Sequence, residues 1–119
     1  MRVCILGSGL SALTLAKALV GQNIYVDIFT SKKKPVINFS RTIGISKSNF
    51  DYFNNNIVNI EKICWKISKI EILTENFNKE KVLNCENNNN QLFSVVKNFK
   101  IHKAVEKNLF RNKYFKKIY

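Results

Sequence analysis

Arg2-Val3-Cys4-Ile5-Leu6-Gly7-Ser8-Gly9-Leu10-Ser11-Ala12 is the stretch from which the fold is read. Val3 to Leu6 form an apolar run too short for a helix, and its length fits a buried strand. Gly7-Ser8-Gly9 ends that run. Residues 10–20 follow with Leu, Ala and Val broken only by Ser11, Thr14 and Lys17, which predicts an almost wholly buried helix. Gly21 suits its C-terminal cap. Residues 24–29, Ile-Tyr-Val-Asp-Ile-Phe, read as a second strand, and a polar Lys32-Lys33-Lys34-Pro35 loop comes after it. Residues 1–30 are therefore a strand–helix–strand unit of a parallel sheet.

Within that unit, Gly7-Ser8-Gly9-Leu10-Ser11-Ala12 matches G-x-G-x-x-G/A with Ala in the third place. Alone the pattern is weak. Here it follows a strand and opens a helix, the context that a dinucleotide-binding turn requires. Gly7 allows the tight turn, Gly9 lets a pyrophosphate approach the backbone, and Ala12 is small enough for close helix–strand packing. The helix N-terminus adds unpaired N–H groups and a partial positive charge. The bland reading is a glycine turn that binds nothing. The expected acidic residue at the end of the second strand is missing: Thr30 stands there, and its hydroxyl can make one ribose hydrogen bond but not a charge-assisted pair.

The remainder is less regular. Ser48 with Asp51 three residues later predicts a capping pair opening a short helix, ended by Asn54-Asn55-Asn56. Residues 67–74 and 81–85 read as strands joined by a turn over 76–79, and 92–96 as another. Residues 99–110 carry Ile101, Val105 and Leu109 at helical spacing, and 115–119 begin a further strand. Trp65 and the phenylalanines read as core, and His102 as an exposed helix residue.

Composition narrows the classes. The 119 residues suit one domain; 45% are hydrophobic, with four Gly and one Pro, which argues against a disordered or low-complexity chain. No apolar run approaches the roughly 20 residues of a spanning helix, and no signal-peptide pattern is present. A cytoplasmic location is expected, with Cys4, Cys64 and Cys85 as reduced thiols. Three distant cysteines and one histidine do not predict a metal site. The net charge of +12 suggests nucleic acid, but its source weakens that reading. Lys, Asn and Ile supply 48 residues, a bias that AT-rich coding DNA also produces, and Arg appears three times. Nucleic acid is therefore not expected as a partner. Residues 97–117 hold eight basic side chains against Glu106 alone, read as a solvated helix face, or more sharply as a patch for an acidic membrane or nucleic acid, the solvated face being preferred.

A longer resemblance chooses between nicotinamide and flavin. Arg41-Thr42-Ile43-Gly44-Ile45-Ser46, followed by residues 47–53, resembles the Arg-x-x-Ala-Leu-Ser segment of the FAD-dependent aromatic hydroxylases of ubiquinone biosynthesis. These belong to the class typified by p-hydroxybenzoate hydroxylase. Residues 65–72 are similar to the segment opening that family's substrate-side sheet, residues 92–98 to its Gly-Tyr-x-Val-Glu-Asn strand, and 101–109 to the following helix.

The resemblance implies an α/β chain: the N-terminal part of a Rossmann-type FAD-binding domain with an additional β-sheet layer over 65–97 and a helix over 99–111. It implies that Gly7, Gly9 and Ala12 contact the FAD pyrophosphate, with Ser8, Leu10 and Ser11 in the same loop. Thr30 then stands where the ribose-binding Glu usually sits. Arg41 lies near the flavin and its phosphates, or else is a solvent-facing Arg after a loop. The family uses NAD(P)H as donor, FAD as the oxygen-activating cofactor, and a polyprenylated phenol as substrate, with peripheral membrane contact. Its later Asp-Gly and Gly-Asp motifs do not occur before Tyr119, so a truncated chain without turnover of its own is expected. Open strand edges would then favour a partner chain or a dimer. The alternative is a stand-alone nucleotide-binding or scaffold module without catalysis.

Overall fold

Alternating apolar residues and one strongly amphipathic helix organise the chain around two small sheets. In the computed structural model, residues 1–31, 38–75, 78, 80–86 and 90–119 are described. Strand β1 (Arg2–Leu6) leads through helix α1 (Leu10–Gly21) to β2 (Tyr25–Phe29), which pairs parallel to β1 with Cys4 opposite Asp27. The last strand, β8 (Phe115–Ile118), adds to the other side of β2, also parallel, giving the order β1-β2-β8. The parallel strand–helix–strand unit is thus present.

A second, antiparallel sheet has the order β3-β7-β4, with β3 at Thr42–Ser46, β4 at Cys64–Ile67 and β7 at Phe93–Lys97. Strands β5 (Lys69–Leu73) and β6 (Lys81–Glu86) form a separate antiparallel ribbon. Helix α2 (Lys47–Tyr52) continues into a π-helical turn at Phe53–Ile57, and α3 (Asn98–Leu109) connects β7 to the chain leading into β8.

One apolar cluster ties these parts together. Helix α3 buries Ile101, Val105 and Leu109, the spacing expected of a helix with one apolar stripe. Against it lie Leu13, Ala16 and Val20 of α1 and Val26 and Ile28 of β2, with Val96 of β7, Ile45 of β3, Phe50 of α2, and Ile57 and Ile60 completing the cluster. Fully burying an aliphatic side chain of this size contributes about 1.5–3 kcal/mol, so the α1–α3 seam is a main support of the fold.

Several sequence expectations need correction. Strand β1 is not buried: among the described residues it pairs only with β2, and Cys4 and Leu6 are exposed, Leu6 by 85%. Helix α1 is not almost wholly buried, because only its Leu13, Ala16 and Val20 stripe meets the core and Leu15 is half exposed. Gly21 is still helical. Gln22 is the C-cap, and the left-handed conformation falls on Asn23, at φ 61°. The N-cap of α2 is Ser46, whose Oγ accepts from Asn49 N, while Asp51 is engaged by Lys47 one turn earlier. Asn54 does not end the helix; its side chain accepts from Ile60 N at 2.8 Å and shapes the turn that follows.

The strand expected over 67–74 is interrupted at Ser68: Ile67 is the last residue of β4, whereas 69–73 form β5 of the separate ribbon. Of the turn over 76–79, residues 76, 77 and 79 lie outside the described residues. Trp65 is 77% exposed rather than core, because β4 is an edge strand of its sheet. Among the described residues no helix is long and apolar enough to cross a membrane.

Candidate functional site

The turn after β1 takes its shape from Gly7. Its φ of 99° lies in the region where a side chain is strained, and its N–H donates to Phe29 O at 2.8 Å, which fixes the turn to the end of β2. Gly7 therefore acts through the turn. Gly9 differs. Its φ of −69° and ψ of 171° suit any residue, and a Cβ placed there would meet no atom within 4 Å outside its chain neighbours. Neither backbone conformation nor packing within the chain requires glycine at this position.

Gly9 is the N-cap of α1, and its carbonyl accepts the first helical bond, from Leu13 N at 3.0 Å. The N–H groups of Leu10, Ser11 and Ala12 thus have no acceptor within the helix. Among the described residues no side chain caps this end, and its first turn carries no acid. The helix end keeps both its donors and its partial positive charge.

These groups open on a cleft of 710 Å³ whose lining includes Ser8, Gly9, Leu10 and Ser11. Thr30 also lines it and accepts a 3.2 Å hydrogen bond from Ser8 Oγ, which joins the glycine turn to the end of β2. Arg41 also lines the cleft, with its side chain exposed. Its position follows from the turn before β3: Asn38 Oδ1 accepts from Ser40 N and Arg41 N, and Arg41 O accepts from Asn98 N at 2.9 Å. Phe39 packs edge-on to Phe99 at 5.0 Å, pinning that turn to the start of α3. Of the residues singled out in the sequence, Ser8, Gly9, Leu10, Ser11, Thr30 and Arg41 meet at the cleft. Gly7 and Ala12 stand beside it, in the turn and in the first turn of α1.

Four lining residues were missed: Ser31, Ile43, Asn98 and His102. His102 of α3 is half buried and its Nε2 lies 2.9 Å from Ser8 O, across 94 residues of chain. A carbonyl only accepts, so Nε2 carries the hydrogen. The signal available in the sequence was its place next to Ile101, which marks the edge of the buried stripe. Among the described residues the cleft has no carboxylate in its lining, and Arg41 and His102 are its ionisable groups.

An apolar groove of 590 Å³ adjoins the cleft, sharing Leu10, Ser11 and Ile43 with it and running along Leu15, Tyr52 and Phe53. Displaced protonation equilibria occur elsewhere. Hydrogen bonds from Lys69 and Lys81 hold Glu71 on the ribbon at about 2. Lys66 lowers Glu61, and burial raises the Cys64 thiol.

A strand, a glycine turn, a helix end without a side-chain cap and a cleft with no acid in its described lining leave open N–H donors and partial positive charge at one place. Comparison with solved structures agrees on the fold. The chain is similar to p-nitrophenol 4-monooxygenase PnpA from Pseudomonas putida DLL-E4, with TM-score 0.76 and 9% identity over 98% of this chain and 32% of that one. It is similar to 2,6-dihydroxypyridine-3-hydroxylase from Arthrobacter nicotinovorans, with TM-score 0.66 and 20% identity over 98% of this chain and 28% of that one. A proposed FAD-containing monooxygenase from Photorhabdus luminescens subsp. laumondii TTO1 matches at TM-score 0.68 and 14% identity, over 98% of this chain and 30% of that one. The chain therefore has the mixed α/β fold found in these aromatic hydroxylases and monooxygenases, and it spans about a third or less of their length. No protein-family model matches it, and no curated protein matches it in sequence.

Proposed function

We propose that this chain is the dinucleotide-binding portion of a flavin-dependent aromatic monooxygenase, and that FAD binds with its diphosphate at residues 8–12. Gly9 carries the reading: a position free to bear a side chain has none, directly at an uncapped helix end. A ligand approaching the backbone accounts for that space, as it does for the second glycine of the motif. The open N–H groups of α1 and the guanidinium of Arg41 suit two negative phosphates, and Thr30 offers a hydroxyl to a ribose. The adjoining groove supports an apolar part of a ligand along α1 and β3. Bound flavin would supply the redox chemistry and oxygen activation, while the chain binds and orients it.

The Rossmann-type assignment rests on the parallel β1-α1-β2 unit with β8 added. A polyprenylated phenol as substrate, NAD(P)H as donor, and a cytoplasmic, membrane-peripheral setting rest on the resemblance of residues 41–53 and 92–109. Residues 1–119 alone are expected to show no oxygenase turnover, because positioning a substrate against the flavin needs walls on every side.

The test adds FAD to the purified chain, desalts it and records absorbance from 350 to 500 nm. Retained flavin bands in the wild type and their loss in Gly9→Val, with both proteins folded by circular dichroism, are the expected result. Equal retention by Gly9→Val, or no binding of either FAD or ADP-ribose by the wild type, would overturn the reading.

A further inference from the structure

We propose that His102 is a positioning residue whose protonation tightens the cleft's hold on a dinucleotide diphosphate, making binding stronger in mild acid. The inference rests on the diphosphate reading of the cleft.

Two observations carry it. First, His102 reaches from α3 to the Ser8 carbonyl at 2.9 Å and so holds the glycine turn against α3. That bond needs only the hydrogen on Nε2, which both the neutral ring and the imidazolium possess. Protonation at Nδ1 therefore adds a positive charge without breaking the contact that shapes the turn. Second, among the described residues the cleft offers no carboxylate to neutralise the new charge.

Among the described residues the surrounding charges are few. On α3 itself, Lys103 is exposed, and Glu106, one turn beyond His102, is held by Lys117 of β8 at 2.6 Å. From the turn before β3 comes Arg41, while the β1–α1 loop contributes Ser8 and the end of β2 contributes Thr30 and Ser31, all uncharged. A diphosphate bound in the cleft would favour the charged ring. A ligand that prefers the protonated form must raise the ring's affinity for a proton by the same factor.

The probe is FAD, whose two phosphates are joined by an anhydride bond and each esterified once, so neither carries a group titrating in mild acid. Wild-type chain is expected to bind FAD about five- to tenfold tighter near pH 5.5 than near pH 8, spanning the ordinary histidine range. His102→Gln keeps an N–H donor for Ser8 O and is neutral throughout, so its affinity should show a flat pH profile. His102→Leu loses the donor and should be weaker at both ends. The sequence contains one histidine, so its ring resonance is unambiguous by NMR, and its midpoint should rise on adding FAD. A wild-type profile as flat as that of His102→Gln, a pH dependence that survives in His102→Gln, or a ring midpoint unmoved by bound FAD would each overturn the proposal. If no variant binds FAD at any pH, the diphosphate reading falls first and this inference with it.

Discussion

Lys117 provides the most demanding test of how the last strand is held. Its side chain is only 4% exposed, yet it is charged, and Nζ lies 2.6 Å from Glu106 Oε1. The pair links β8 to α3, the element that precedes it in the chain. At an effective dielectric near 20, two charges at this separation attract by about 6 kcal/mol before desolvation is subtracted. Replacing Glu106 by Gln removes that attraction but leaves the ammonium in place. The remaining neighbours are the Phe110 and Tyr119 rings, at 5.8 and 5.7 Å, each able to return about 1 kcal/mol.

Breaking a buried pair from one side costs about 3–5 kcal/mol, and Glu106 is 21% exposed, so the lower end applies. For a chain of this length about 3 kcal/mol corresponds to a fall in Tm on the order of 10 °C. The assay is thermal and urea unfolding of Glu106→Gln, Lys117→Met and the double variant. The double variant should be more stable than Glu106→Gln, because it removes the stranded charge. A Tm change of Glu106→Gln below about 2 °C, with purely additive single effects, would refute the buried-pair argument.

Two further predictions use residues already described. Gly7→Ala should cost about 1–2 kcal/mol in urea unfolding, since φ is 99°, whereas Gly9→Ala should be neutral or stabilising by up to about 1 kcal/mol. Equal losses at both positions would contradict the distinction. Glu71 is held near 2 by Lys69 and Lys81, below its ordinary value, so its contribution to the β5–β6 ribbon is present above the ordinary carboxylate range. It is lost as pH falls from about 4.5 toward 2. Amide exchange of Ile70 and Leu83 should quicken over that window in the wild type and show no such step in Glu71→Gln.

Much of the parallel unit is determined locally. A short apolar run, Gly7 at a positive φ, an apolar helix and a second β-rich run can be joined in few ways, and each is set by nearest-neighbour sterics and hydrophobic period. The stripe Ile101, Val105 and Leu109 was equally legible, because helical spacing survives any tertiary context. Short signals were less informative. Ser48 and Asp51 have the spacing of a cap, yet Ser46 caps the helix, because the end of β3 fixes where the chain can turn. Trp65 looks like core by type, but burial depends on which strand lies next to β4.

By itself, then, the sequence determined the glycine turn, the α3 stripe and the place of Ser8, Gly9 and Ser11 at a helix end. Only the tertiary structure decided that β1 is an edge, that Asn38 and Phe39 bring Arg41 to the cleft, and that His102 meets Ser8 across 94 residues. The physical reason is separation along the chain. Conformational preference and period act over a few residues, whereas a contact between distant segments exists only once burial of the shared core has paired their elements.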